Sequence, residues 1–166
     1  MRFFFSFSFL FLFSIGFSQQ TSRLRIDSGS SVYFYFNSWD KIKNGITYNT
    51  WTKLSIYYDD PADGEWELTA KANTNYIVSE RGNHPADDLE LATIELEASG
   101  DASNTYQPLF PLSTIDTRLA SGAETSPATT LVQITYQCGV NDTYTLWGKK
   151  TDYYYVDIIL TLRPKP

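Results

Sequence analysis

A two-residue hydrophobic period, recurring from residue 32 to the C-terminus, restricts the fold of this chain more than any other feature. In EWELTAKA, Trp66, Leu68, Ala70 and Ala72 alternate with Glu65, Glu67 and Lys71. Successive side chains of an extended chain point to opposite faces, so this run reads as a strand with one face buried and the other, with its charges, in water. SVYFYFN sets Val32, Phe34 and Phe36 against Tyr33 and Tyr35, and GITYNTWTKLSIYY holds Ile46, Tyr48, Leu54, Ile56 and Tyr58 in one register, across one long strand or two. LELATIELEA keeps Ile94, Leu96 and Ala98 in phase, and TRLA, TLVQITYQC and YTLW add further strands. No helical period is sustained after residue 20. DDPADG reads as the turn of a hairpin between its flanking strands, and ASGDASNTYQPLFPLS as a surface crossover. The expected class is all-β: an immunoglobulin-like antiparallel β-sandwich of about seven or eight strands.

The last run, YYYVDIILTLRPKP, is apolar on both faces. Tyr154, Val156, Ile158, Leu160 and Leu162 fall on one side, and Tyr153, Tyr155, Asp157, Ile159 and Thr161 on the other. Such a strand needs cover twice over, either inside a self-contained sandwich or in a sheet completed by another subunit.

The N-terminus, MRFFFSFSFLFLFSIGFSQQ, has one positive charge, an apolar run and a small residue before a polar one. This is the pattern of a secretory signal peptide, expected over residues 1–18 and followed by one domain over 19–166. The product is expected to be secreted, to the periplasm, cell surface or extracellular space, with no membrane insertion after cleavage. No cysteine follows the small residues to carry a lipid. The Phe-rich leader and the Gln at the mature end resemble those of exported proteins of Bacteroidetes-type bacteria. A net charge of −6 repels phosphate backbones and anionic headgroups, which argues against nucleic acid and membrane surfaces as partners. Cys138 is the sole cysteine, so no internal disulfide can form, and it shares a face with Val132, Ile134 and Tyr136 as a small buried side chain would.

Catalysis finds few tools in this sequence. His84, the one histidine, sits in a turn-like RGNHPADD, and one His with one Cys cannot build the usual zinc site. No nucleophile-elbow pattern accompanies any serine. Carboxylate pairs are too abundant to single out a glycosidase site. The chain is therefore read as a non-enzyme. Asp59, Asp60, Asp63 and Glu65 could offer oxygens to Ca²⁺ from one turn, but their spacing is not that of an EF-hand and a hairpin turn selects the same residues. The turn reading is preferred, and no other cofactor is expected; Asp87 and Asp88 are a weaker Ca²⁺ candidate. Among the tryptophans, Trp66 is in phase with its strand's core, whereas Trp39, Trp51 and Trp147 are candidates for stacking on sugar rings, Trp39 and Trp147 lying beside turns.

TLVQITYQCG, the short YTLW, a Gly turn and YYYVDIILTLRP together resemble the final strands of fimbrial and spore-coat-U-like pilin domains, over roughly residues 130–162. The resemblance implies an incomplete immunoglobulin-like fold that receives a strand from the next subunit. Two features depart from that pattern: the family's frequent disulfide cannot form here, and QQTSRLRIDSGSS, with Leu24 and Ile26 in phase, lacks a long alternating donor segment. The expected function is that of a structural or adhesive envelope protein. Its expected partners are other envelope or pilus subunits, or, if the tryptophans form a carbohydrate-binding platform, a surface glycan.

Overall fold

The computed structural model describes residues 21–60, 64–82 and 85–166. The expected leader, Asp63 and His84 lie outside the described residues. Among the described residues, twelve strands follow in chain order: β1 (Thr21–Ser28), β2 (Ile46–Asp59), β3 (Glu65–Ala72), β4 (Tyr76–Ser79), β5 (Leu89–Glu90), β6 (Ile94–Gly100), β7 (Thr105–Tyr106), β8 (Phe110–Pro111), β9 (Thr117–Ala123), β10 (Thr130–Cys138), β11 (Tyr154–Tyr155) and β12 (Ile158–Pro164). They form a five-stranded sheet, β1-β2-β10-β6-β8, a four-stranded sheet, β12-β3-β9-β7, and a three-stranded sheet, β11-β4-β5. Every pairing is antiparallel.

The alternation read from the sequence decides which side chains are buried. Leu54, Ile56, Leu96, Val132 and Ile134 of the five-stranded sheet meet Trp66, Leu68, Ala70 and Leu119 of the four-stranded sheet in one core. Each large side chain removed from water contributes roughly 1.5–3 kcal/mol, and with no disulfide among the described residues this burial holds the sheets together. β2 is a single strand whose buried side chains stay in one phase despite Thr50, whose positive φ of 48° marks an irregularity. The shift in pairing with β10 falls there, and the Thr50 N–H is taken by Thr135 Oγ1 at 3.0 Å.

Several expectations are corrected. DDPADG does not close a hairpin, because β2 and β3 lie in different sheets and the chain crosses between them at this point. Glu67 does not face water: β3 is flanked by β12 and β9, and Glu67 is buried and paired with Arg163 of β12 at 2.6 Å. YTLW is irregular, and the strand begun at TRLA runs on through Ala123. The crossover carries the two-residue strands β7 and β8. A six-residue helix, α1 (Trp39–Asn44), also stands where none is expected. Ser38 Oγ caps it by accepting the Lys41 N–H at 3.4 Å, and Gly45 ends it at φ 73°. α1 buries no residue, so it leaves no hydrophobic period to read.

SVYFYFN is extended and alternates as expected, with Val32, Phe34 and Phe36 half-buried and Tyr33 and Tyr35 exposed, yet it belongs to no ladder. The closing run alternates as expected too, and of the two places open to it, it takes a sheet edge and not an interior position.

Candidate functional site

β1, β11 and β12 are each the last strand of their sheet. β1 pairs with residues 53–59 of β2 and leaves the earlier half of β2 without a neighbour on that side. The chain beyond β1 runs past this half tethered by side chains alone. Thr52 Oγ1 donates to Gly29 O at 2.6 Å, Trp51 Nε1 to Ser31 O at 2.9 Å and Tyr48 OH to Tyr33 O at 3.0 Å. Gly29 makes the turn away from β2 at φ 70°, where a Cβ would stand 2.4 Å from Trp51 O. Phe34 then stacks on Tyr48 with centroids 5.2 Å apart.

The opposite wall is the terminal run. Its backbone is bonded towards β3 and β4 through Tyr153 O, which accepts from Glu80 N at 2.8 Å, Asp157 O, which accepts from Asn73 N at 3.1 Å, and Lys165 N, which donates to Glu65 O at 3.1 Å. All three are odd-numbered. Backbone groups alternate sides along a strand, so the N–H and C=O groups of Ile158, Leu160 and Leu162 face away from the sheet, towards the flank where β12 comes near β1 but shares no ladder with it.

Between the two walls lies a groove of about 850 Å³. Phe34 and Phe36 line it from one side, Val156, Ile158 and Leu160 from the other, and the core residues Ile94 and Cys138 also reach it. Tyr33 and Tyr35 on one rim and Tyr153 and Tyr155 on the other are all at least 60% exposed. Burial pushes the Cys138 thiol up to about 12, so it lines the groove as an inert apolar group. One end is fixed by Asp152, whose carboxylate accepts from Ser79 Oγ, from Arg81 N at 2.9 Å and from its neighbour Tyr153 N at 2.7 Å. These bonds, led by the Ser79 hydroxyl, hold its carboxyl below the usual range. Beside it, the Asp87 carboxylate pairs with Lys150 and raises the ammonium's pKa.

The tryptophans named from sequence separate into two places. Trp39, at the start of α1, and Trp147 meet edge to face with centroids 4.3 Å apart, and both are more than half exposed. Trp51 is turned instead onto Tyr48, 5.0 Å away, with its N–H committed to Ser31. Trp66 is fully buried, as its phase requires. Of the acidic cluster, Asp59 Oδ2 accepts from Tyr57 OH at 3.2 Å, Asp60 Oδ2 from Tyr58 OH at 3.3 Å, and Glu65 pairs with Lys165 at 2.5 Å. Among the described residues no group of three or more His, Cys, Asp or Glu side chains is arranged to hold a metal ion. The groove itself is absent from the sequence reading. Its signal was the matched pattern of VYFYF and YYYVDIIL, each with tyrosines on one face and apolar side chains on the other, but nothing local to either run indicates that they face one another.

No protein-family model matches the chain, and no curated protein sequence is significantly similar to it.

Proposed function

We propose that this is a secreted structural or adhesive component of a cell envelope, a pilin-like subunit with an incomplete immunoglobulin-like β-sandwich that assembles through β-strand contacts. The observation that carries the reading is the flank where residues 29–37 and the terminal run stand apart without a ladder, over an apolar groove. A neighbouring subunit's strand could satisfy the free backbone groups there and fill the groove, as in β-augmentation. An exposed, alternating edge of this kind is otherwise a liability. The test is the native size of the exported protein, measured by light scattering over a concentration series and by gel with and without boiling in SDS. Species larger than one chain that collapse on boiling are expected; one monomeric species throughout would refute the reading.

The Trp39–Trp147 pair favours a second reading, a carbohydrate-binding module. Two exposed indole rings offer apolar faces to sugar C–H bonds. Glycans that quench tryptophan emission in wild type but not in Trp39→Ala would support it, and an unresponsive wild type would dismiss it.

A further inference from the structure

We infer that the strand taken up at this flank is the terminal strand of a second copy of the chain, laid antiparallel about a two-fold axis at Leu160. The inference rests on the proposed strand-accepting flank and specifies its occupant.

The register follows from which backbone groups are free. Ile158, Leu160 and Leu162 turn their N–H and C=O groups outward, and Pro164, on the same side, has no N–H to offer. The usable ladder therefore runs from 158 to 162, and its centre is Leu160. Pairing this segment with itself about that centre places Leu160 opposite Leu160 and Ile158 opposite Leu162, each pair exchanging both backbone bonds. The half-buried side chains of these residues then lie together on the inner face, those of Ile158 and Leu160 at the groove.

Charge and the available donors together point to the same register. With the axis at Leu160, Asp157 of one copy stands opposite Arg163 of the other. Opposite charges in directly facing positions are favourable. Moving the axis to Ile158 would put Asp157 against Ile159, and moving it to Leu162 would put Arg163 against Thr161 and Pro164 against Leu160. Either shift loses the charge pair, and the second also loses a ladder donor; an axis at Thr161 would set Asp157 against Lys165 but puts Pro164, which has no N–H, against Ile158 and so shortens the ladder. A two-fold contact needs such a self-complementary patch.

The outer-face residues give the test. In this register Ile159 stands opposite Thr161 of the second copy in a non-hydrogen-bonded pair, where Cα atoms lie about 4.5 Å apart and a disulfide can close. Identical positions are offset diagonally at about 7–8 Å. Ile159→Cys and Thr161→Cys proteins, exported separately and mixed under mild oxidation, should give a covalent dimer containing one of each. Each variant alone should give at least tenfold less, and the buried Cys138 should not react. Non-covalent oligomers with no preferential 159–161 bridge would overturn the register and leave the assembly reading standing. A wild type that stays monomeric at every concentration, with no bridge in the mixture, would overturn both.

Discussion

Glu67 and Arg163 allow a sharp test of the sheet order. Glu67 lies on β3 between Arg163 of β12 and Ser121 of β9, with its side chain 8% exposed against 45% for Arg163. The two halves of the pair should therefore not be equivalent. Arg163→Met keeps much of the aliphatic packing but strands a carboxylate in a buried place. Breaking a buried ion pair costs about 3–5 kcal/mol, and the half-exposed arginine reduces that to about 2–3 kcal/mol here. Glu67→Met leaves an arginine that can turn to water, at about 1 kcal/mol or less. The double variant Glu67→Met/Arg163→Met buries two apolar chains and no charge, and should return to within about 1 kcal/mol of wild type. Urea unfolding measures all four proteins, with a constant slope as the check that only stability has changed. Equal single effects, or a double effect equal to the sum of the singles, would refute the placement of Glu67 in a covered site beside the terminal strand.

Three shorter predictions follow from other buried groups. Cys138, buried with its thiol pushed up to about 12, should be silent to a thiol reagent at pH 8 in the native protein and react fully in denaturant; rapid native labelling would contradict its burial. Asp152 has a carboxyl held below its ordinary 3.8, so its stabilising contribution is complete above that value and is lost as the pH falls through the lower folded value. Asp152→Asn should flatten the acid limb of the stability curve, and wild-type and variant curves that run parallel through that limb would contradict the shift. Thr69 Oγ1 is buried without a hydrogen-bond partner, so Thr69→Val should leave the urea midpoint unchanged or raise it, by up to about 1–2 kcal/mol in stability; a marked loss would reveal a partner for that hydroxyl.

What the sequence discloses here is which face of a strand is buried, and what it hides is which strand lies beside it. The phases of Trp66, Leu54, Ile134 and Leu96 are all recovered because a two-residue period is a local property. The failures come from pairing. Nothing within DDPADG distinguishes a turn that returns along one sheet from one that passes to another, and nothing near Glu67 announces an arginine nearly a hundred residues later. α1 is missed because a short exposed helix is specified by its caps, Ser38 and Gly45, rather than by a buried stripe. At the site, Trp39 and Trp147 are both legible as exposed candidates beside turns, but their contact depends on α1 meeting a distant loop. The groove is the extreme case, since each wall reads as an ordinary strand and only the fold leaves the two apart.

An open apolar edge invites indiscriminate pairing, and the details of this edge limit that risk. Pro164 removes a donor from the open side just beyond Leu162, and Asp157 places a charge just before Ile158. Between these two limits only a short ladder is free. A flat partner of arbitrary sequence would gain little from so few bonds and would leave Asp157 facing a residue without charge. In the proposed pairing a second copy of the same run would meet the aspartate with Arg163, which Glu67 already orients at 2.6 Å. The buried carboxylate holds the guanidinium in place beside β3, and in the proposed pairing it would tie the selectivity of the edge to the stability of the sheet. Loss of Arg163 should accordingly weaken both folding and self-association, and Asp157→Asn, which keeps an oxygen for the Asn73 Nδ2 bond at 2.8 Å, should weaken association more than the urea midpoint.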